Sequence, residues 1–189
     1  MPAGLLLAAG GGRRYGRPKA LVQLDGTLLV DRAMRVLADG GCAPLFVVLG
    51  AAADEVVARA DLPAATVVRN ADWESGMASS LRAGLTALQD TGATAALILL
   101  VDTPGIGAAA ARRVAQTTAP DALAVATYAG RQGHPVLLGR EHWAEVIRTT
   151  RGDAGAREFL ATHADLVRQI PCDDVADDDD VDVPGDLPS

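Results

Sequence analysis

The sequence predicts an α/β layered fold with a mostly parallel sheet, and three observations carry this. Short apolar runs alternate with stretches of helical periodicity along nearly the whole chain, the pattern of strands joined by helical crossovers. Hydrophobic residues make up 49% of the chain but aromatics only 3%, so the core must be built from Ala, Val and Leu, which suits helices packed closely on a sheet buried on both faces. The 189 residues suffice for one domain with a substantial core, and no internal repeat or linker divides them, so residues 1–189 are expected to form a single domain.

The elements follow in order. Residues 5–9 read as a short buried strand, followed by a glycine-rich loop. Residues 21–26 form a short turn-bounded segment. Residues 29–38 read as a helix with Leu29, Ala33, Val36 and Leu37 on one face, ended by Gly40 and Gly41. A second strand is expected at 44–50, a short helix at 54–60 and a third strand at 66–69. Residues 77–89 carry a helical stripe of Met77, Leu81, Leu85 and Leu88. Residues 95–101 are the most continuous apolar run and are expected to form a central strand. A helix is expected at 104–117, with Thr103 as N-cap and Pro104 at its first position. Strands follow at 122–127 and 135–138, helices at 140–148 and 154–163, and residues 166–170 close the sheet.

Composition excludes several functions. No apolar run approaches the ~20 residues of a membrane span. The apolar run beginning at Leu5 is too short for a signal peptide and has no basic region before it, so a cytoplasmic location is expected. Cys42 and Cys172 are far apart and lie in no CxxC, which argues for two reduced thiols rather than a disulfide or zinc site. The net charge of −7 comes from eight acids between Asp173 and Asp186 with no base among them; the rest of the chain is nearly neutral. With few aromatics and no basic face beyond the first loop, nucleic acid is not an expected partner.

Candidate chemistry falls at the carboxyl ends of strands, where ligands bind in open α/β sheets. The first group is Gly10-Gly11-Gly12 followed by Arg13, Arg14, Arg17 and Lys19. Successive N–H groups in such a turn make an anion cradle, and the cations behind it point to a phosphate chain. Neither familiar phosphate loop fits. The dinucleotide fingerprint needs glycine where Tyr15 stands, and the P-loop needs lysine and Ser/Thr where Arg17 and Pro18 stand. Pro18 also disfavours helical geometry at Arg17, so this loop is expected not to run straight into a helix.

The second group is Asn70, Trp73, Gly76, Ser79, Ser80 and Gly84. Ser79 and Ser80 lie in the first turn of a helix, where they either face a ligand or cap the helix. Gly84 weakens that helix by up to ~1 kcal/mol relative to alanine, which implies a close approach. The third is Asp102, a carboxylate at the end of the buried central strand that needs a partner; Mg²⁺ is a natural one. The fourth is the acidic run at 177–180 with Asp182, either a second carboxylate for the same metal or a solvated tail. Gly133-His134-Pro135 and Gly152-Asp153-Ala154-Gly155-Ala156-Arg157 suggest a second substrate site, with Asp153 as a helix N-cap and an anion offsetting Arg157 at the positive end of that helix.

Leu7-Ala8-Ala9-Gly10, Arg14, Gly16, Pro18 and Lys19 resemble the signature of the MobA-like nucleotidyltransferases, and most closely the molybdenum cofactor cytidylyltransferase branch. The resemblance continues in order through Asn70…Ser80, Asp102-Thr103-Pro104, Gly133-His134-Pro135 and Gly152…Arg157 into Asp180-Val181-Asp182. It implies a three-layer α/β/α, Rossmann-like fold of the nucleotide-diphospho-sugar-transferase (GT-A-like) type with about seven strands in a mixed sheet. It implies transfer of a nucleoside monophosphate from an NTP, CTP favoured, to a phosphorylated acceptor such as molybdopterin, with release of pyrophosphate, and a molybdoenzyme as eventual recipient. Leu7 to Gly12, Arg14, Lys19, Asn70, Ser79 and Ser80 would then hold the nucleotide. Arg14, Lys19 and Asp102 would carry the catalysis, and Asp102 and Asp182 would hold Mg²⁺ or Mn²⁺. His134, Asp153, Gly155 and Arg157 would hold the acceptor. Gly12, Tyr15, Val183 and Gly185 depart from the family pattern, none removing a charge the chemistry needs.

Two other readings stand beside this one. A redox enzyme using NAD(P)H on a quinone-like compound would also bring a pyrophosphate to the glycine loop. Against it, Asp25 lies 15 residues past Gly10, where a ribose-binding acid usually lies ~20 residues on. A non-catalytic pterin carrier would need the anion sites but not Asp102.

Overall fold

A computed structural model describes residues 1–62, 64–181 and 183–186. Its sheet has seven strands in the order β5-β4-β1-β6-β8-β7-β9: β1 (Ala3–Leu7), β4 (Leu45–Leu49), β5 (Ala65–Arg69), β6 (Ala95–Leu100), β7 (Leu123–Tyr128), β8 (Arg131–Gly139) and β9 (Val167–Pro171). Strand β8 runs antiparallel to both its neighbours, and every other ladder is parallel. A separate hairpin pairs β2 (Gln23–Leu24) with β3 (Thr27–Leu28) around Asp25-Gly26, both at positive φ, the tight turn that Asp-Gly favours.

The sheet is buried on both sides because successive side chains in its central strands point to opposite faces and both sets are apolar. Leu6 and Leu97 enter one core with residues of α1 (Leu29–Asp39), α2 (Ala53–Arg59) and α4 (Ala108–Ala115). Leu5 and Ile98 enter the other with α3 (Met77–Leu88), α5 (Arg140–Thr149) and α6 (Arg157–Thr162). This is the three-layer α/β/α arrangement that the sequence predicts, with a mostly parallel mixed sheet. Among the described residues, no helix is long and apolar enough to cross a membrane.

Four expectations need correction. The fourth helix begins at Ala108, not at 104, and Gly107 is its N-cap. Gly105 and Gly107 are poor helix formers, and residues 103–106 close a turn instead, with the Ile106 N–H donating to the Thr103 carbonyl at 3.2 Å. Thr103 caps nothing; its hydroxyl donates back to the Leu100 carbonyl. The last helix begins at Arg157, and its N-cap is Ala156 rather than Asp153. Gly152 and Gly155 adopt positive φ, which no right-handed helix accommodates, so the six-residue helix starts only beyond them. Strand β8 is nine residues long instead of four because Ala129 and Gly130 turn it straight back from β7 at positive φ, and Ala129 gives no sequence signal for such a turn. The acidic segment is an ordered strap over the carboxyl ends of the strands, not a free tail. Asp174 accepts two bonds from Arg113, at 2.6 and 2.9 Å, and the Val181 N–H donates to the Asp102 carbonyl at 2.9 Å.

Gly84 faces the sheet rather than a ligand. A Cβ there would lie 2.6 Å from Leu5 Cδ1 and 3.1 Å from Val48 Cγ2, so glycine is what lets α3 lie this close to β1 and β4. Gly84→Val therefore forces helix and sheet apart. Its midpoint of urea denaturation should fall by the equivalent of roughly 1–3 kcal/mol, as expected for overpacking.

Candidate functional site

A cleft opens at the carboxyl ends of β1 and β6 and divides into two lobes of about 410 and 560 Å³. Leu7, Met77, Leu100, Asp102 and Asp153 line both lobes, so they stand at the junction. Both segments that the sequence assigns to separate substrates thus meet around one aspartate.

The first lobe is built on the glycine loop. Gly10, Gly11, Gly12, Arg13, Arg14 and Lys19 line it. Gly12 has a φ of 60°, and a Cβ at that position would run into the Arg17 carbonyl. The Gly16 N–H donates to the Gly12 carbonyl at 2.8 Å, closing the turn. As expected from Pro18, the chain leaves the loop in extended geometry and makes only one 3₁₀ turn, Lys19–Leu21, before the β2–β3 hairpin. That short turn places Lys19 deep, with Nζ donating to Asp102 Oδ2 at 2.7 Å. Both side chains are largely withdrawn from solvent, with 15% and 22% of their surface exposed.

The opposite wall comes from the start of α3. Trp73 lies over two glycines: a Cβ at Gly11 would sit 3.1 Å from its ring, and one at Gly50 would sit 2.5 Å from its Cβ. Gly50 is a supporting residue that the sequence reading missed; its position directly after a strand was the available signal. Asn70 is a staple rather than part of the cleft wall. Its Oδ1 accepts from the Asp72 N–H, which fixes Nδ2 as donor to Ser79 Oγ at 2.8 Å and Ser80 Oγ at 3.0 Å. Ser79 in turn donates toward the Gly76 and Asp72 carbonyls, so the polar capacity of its hydroxyl is engaged inside the protein. Ser80 accepts from Asn70 at 3.0 Å and lines the first lobe. Ala8 also faces the core rather than the cleft, whereas Leu7 and Ala9 reach the wall.

The second lobe takes His134, Asp153, Gly155 and Arg157 together, over an apolar floor that includes Leu81, Ile98, Val125, Val136 and Leu160. Asp153 is brought to the junction by Gly76, whose φ of 107° and missing Cβ let the 152–153 turn dock on the start of α3; the Ala78 N–H donates to the Gly152 carbonyl at 2.9 Å. His134 lies deep in the lobe though part of its surface is open. Desolvation pushes its imidazole down to about 4, the Asp102 carboxylate opposing that shift and Arg157 adding to it, so the ring is neutral at physiological pH. Tyr128 fixes this segment by donating to the His134 carbonyl at 2.7 Å. The sequence reading missed Arg131 and Asp178 on this wall. Asp178 packs against Gly133 and lies 3.5 Å from Arg131.

Asp102 supplies hard oxygen donors at the junction, and Asp180 lines the second lobe beside it. Asp182, expected as a metal ligand, lies outside the described residues. Among the described residues, no three His, Cys, Asp or Glu side chains gather closely enough to hold an ion by themselves. The donor set thus fits a cation held by one or two carboxylates and completed by the oxygens of a bound phosphate chain, as Mg²⁺ often is.

The model of the MobA-like NTP transferase domain family matches residues 4–167. Over 187 residues the chain is 40% identical to the nicotine blue oxidoreductase of Paenarthrobacter nicotinovorans, covering 95% of this chain and 91% of that protein. Over 179 residues it is 32% identical to a probable molybdenum cofactor guanylyltransferase of Mycobacterium tuberculosis, covering 90% and 84%. The crystal structure of Rv0371c from that organism superposes with a TM-score of 0.84 at 29% identity, covering 98% of this chain and 95% of that one. The manganese complex of Rv0371c superposes with a TM-score of 0.75 at 27% identity, covering 99% and 92%.

Two stability measurements check this geometry. Asn70→Ala leaves buried serine hydroxyls without their donor and should lower unfolding stability by about 1–3 kcal/mol; loss of NTP binding with unchanged stability would instead make Asn70 a direct ligand. His134 is harder to protonate in the folded chain than in the unfolded one. Its contribution is therefore fully present above the unfolded value of about 6.5 and is lost as pH falls from there through about 4. Stability curves of the wild type and His134→Gln should diverge in that window, the wild type losing more; parallel curves would contradict a neutral, desolvated ring.

Proposed function

The chain belongs to the MobA-like NTP transferase family, and on that premise we propose that residues 1–189 form one catalytic unit that moves a nucleoside monophosphate from an NTP to a phosphorylated acceptor. The family's nucleotidyltransferases supply the general class. The observation that carries the reading is the Lys19–Asp102 pair, 2.7 Å apart where a cationic glycine-loop lobe meets an apolar-floored one.

In this reading the triphosphate lies in the first lobe. The N–H groups of Gly10 to Gly12 and the charges of Arg14 and Lys19 hold it, with Arg13 beside them. The acceptor lies in the second lobe, positioned by His134, Asp153, Gly155 and Arg157. An oxygen of its phosphate attacks the α-phosphorus in line. A new P–O bond forms, the bond from the α-phosphorus to the oxygen bridging to the β-phosphate breaks, and pyrophosphate takes the electron pair. The acceptor phosphate is already ionised at neutral pH, so no side chain needs to remove a proton. Positioning and charge stabilisation dominate such transfers, and Arg14 and Lys19 stabilise charge gathering on the leaving group. Mg²⁺ or Mn²⁺, held by Asp102 and Asp182 with the phosphate oxygens, would add Lewis-acid stabilisation.

CTP is the favoured donor, from Ala9 and from the resemblance to the cytidylyltransferase branch. The Ser80 O–H, oriented by Asn70, suits an acceptor atom on the base or ribose. Molybdopterin is the favoured acceptor, consistent with the relatives named for molybdenum cofactor guanylyl transfer, and a molybdoenzyme the recipient.

A second reading is favoured by the 40% identity to a protein named as an oxidoreductase. A lobe with an apolar floor and a neutral histidine also suits a planar quinone-like compound, with NAD(P)H as the reductant. Tyr15 in place of the third fingerprint glycine weighs against it.

The test follows pyrophosphate with CTP, GTP, ATP or UTP in the presence of Mg²⁺ or Mn²⁺ and molybdopterin, alongside NADPH oxidation with a quinone-like dye. Pyrophosphate release is expected, fastest with CTP, and Lys19→Ala should slow it by roughly 10²-fold or more. Asp102→Asn should remove its dependence on the divalent cation. NADPH oxidation with no release from any NTP would establish the second reading instead.

A further inference from the structure

Behind the cleft, on the other face of β6, lies a separate hollow of about 270 Å³ between α1 and the turn that precedes α4. Its apolar side chains are Leu29, Ala33 and Val36 from α1, Leu99 from β6, and Pro104 and Ile106 from the turn, which also contributes Thr103 and two glycines. Val101 is shared with the first lobe of the cleft. Two guanidinium groups, Arg32 and Arg35, stand at its edge, three residues apart on one side of α1. Arg32 has one ion pair, a loose one of 3.8 Å to the well-exposed Asp25. Arg35 makes no hydrogen bond or ion pair among the described residues. The cations of α1 are thus the charged side chains among the residues lining the hollow.

These features do not suit a metal or a nucleotide. The residues lining the hollow include no carboxylate to hold a cation. Its volume falls just below the roughly 300–1,000 Å³ of sites for drug-sized ligands, so it has room for a single ring or branched chain. Apolar walls with two cations at one edge match a molecule that is apolar over most of its body and anionic at one end.

We propose that this hollow is a binding site for a small amphipathic organic anion, an aryl or branched-alkyl carboxylate whose charged end pairs with Arg32 and Arg35. The site is distinct from the reaction cleft and holds whichever reaction the cleft performs. It adjoins the cleft through the two neighbours of Asp102: Val101 also lines the first lobe and Thr103 also lines the second.

Benzoate is a suitable probe, read by methyl NMR of the full chain labelled at Leu, Val and Ile. Saturable shifts are expected at Leu99 and Ile106, which line the hollow and neither lobe of the cleft. Toluene, with the same ring and no charge, should bind at least roughly tenfold more weakly, and so should benzoate to the double variant Arg32→Ala/Arg35→Ala, since charge-assisted bonds are lost. Lys19→Ala should leave the benzoate titration unchanged. The proposal is overturned if Leu99 and Ile106 do not move, if toluene binds as well as benzoate, or if the shifts gather at Leu7 and Leu81 in the cleft.

Discussion

A carboxylate and an ammonium held 2.7 Å apart impose most of the order seen at the carboxyl end of this sheet. Asp102 follows the central strand β6 and is largely withdrawn from water; left alone there, its charge would be costly. Lys19 reaches it only because the preceding loop ends in a single 3₁₀ turn rather than a long helix. The loop can end that way because Gly12 folds back on Arg17, and Pro18 keeps the chain extended into Lys19. Breaking such a pair by removing one partner is worse than never having had it, since the remaining charge stays desolvated. The pair therefore ties the glycine loop to the sheet and fixes the point at which the two lobes of the cleft meet.

The walls around that point depend on missing side chains more than on present ones. Gly11 and Gly50 make the bed for Trp73, Gly76 admits the turn carrying Asp153, Gly133 admits Asp178, and Gly84 lets α3 lie against β1. Each is a place where backbone or a bulky side chain comes closer than a Cβ would allow. The cleft is thereby assembled from stretches of chain far apart in sequence that meet closely at glycines. The strap that bears Asp177 and Asp178 fits the same rule, since it crosses over Gly105 and Gly133.

Much of this was legible in the sequence, for identifiable reasons. Buried parallel strands are continuous apolar runs, so β1, β4, β6 and β7 stand out. The failure of both phosphate-loop patterns at Tyr15, Arg17 and Pro18 correctly implied a loop that does not enter a helix. What misled was chemistry read locally. Thr103-Pro104 and Asp153 look like helix starts, yet nearby glycines delay both helices. Gly84 implied a close approach, and the sheet supplies it, though sequence alone cannot name which neighbour comes close. Asn70, Ser79 and Ser80 were read as one set of ligands, yet the fixed amide of Asn70 engages Ser79 internally and leaves Ser80 facing the lobe. Arg131 and Gly50 were invisible, and Asp178 was seen only as part of an acidic run, because their roles arise from strand pairing and from chain segments far apart in sequence.

The relatives of this chain carry both transferase and oxidoreductase names, and the cleft shows how one scaffold can underlie both. The first lobe is lined by the glycine loop and its cations, and the second by an apolar floor with a neutral imidazole deep within it. Neither lobe alone distinguishes phosphate transfer from hydride transfer. The junction does. Hydride transfer needs the nicotinamide face and the acceptor in contact and builds charge on the acceptor rather than on a phosphate. Transfer at the α-phosphorus places the breaking bond beside the glycine-loop cations, where charge accumulates on the leaving group and a nearby carboxylate can share a divalent cation with it. In the function we propose, Lys19 lining the first lobe and Asp102 lining both serve nucleotidyl transfer at the junction, while the higher identity to a protein named for redox chemistry favours the second reading.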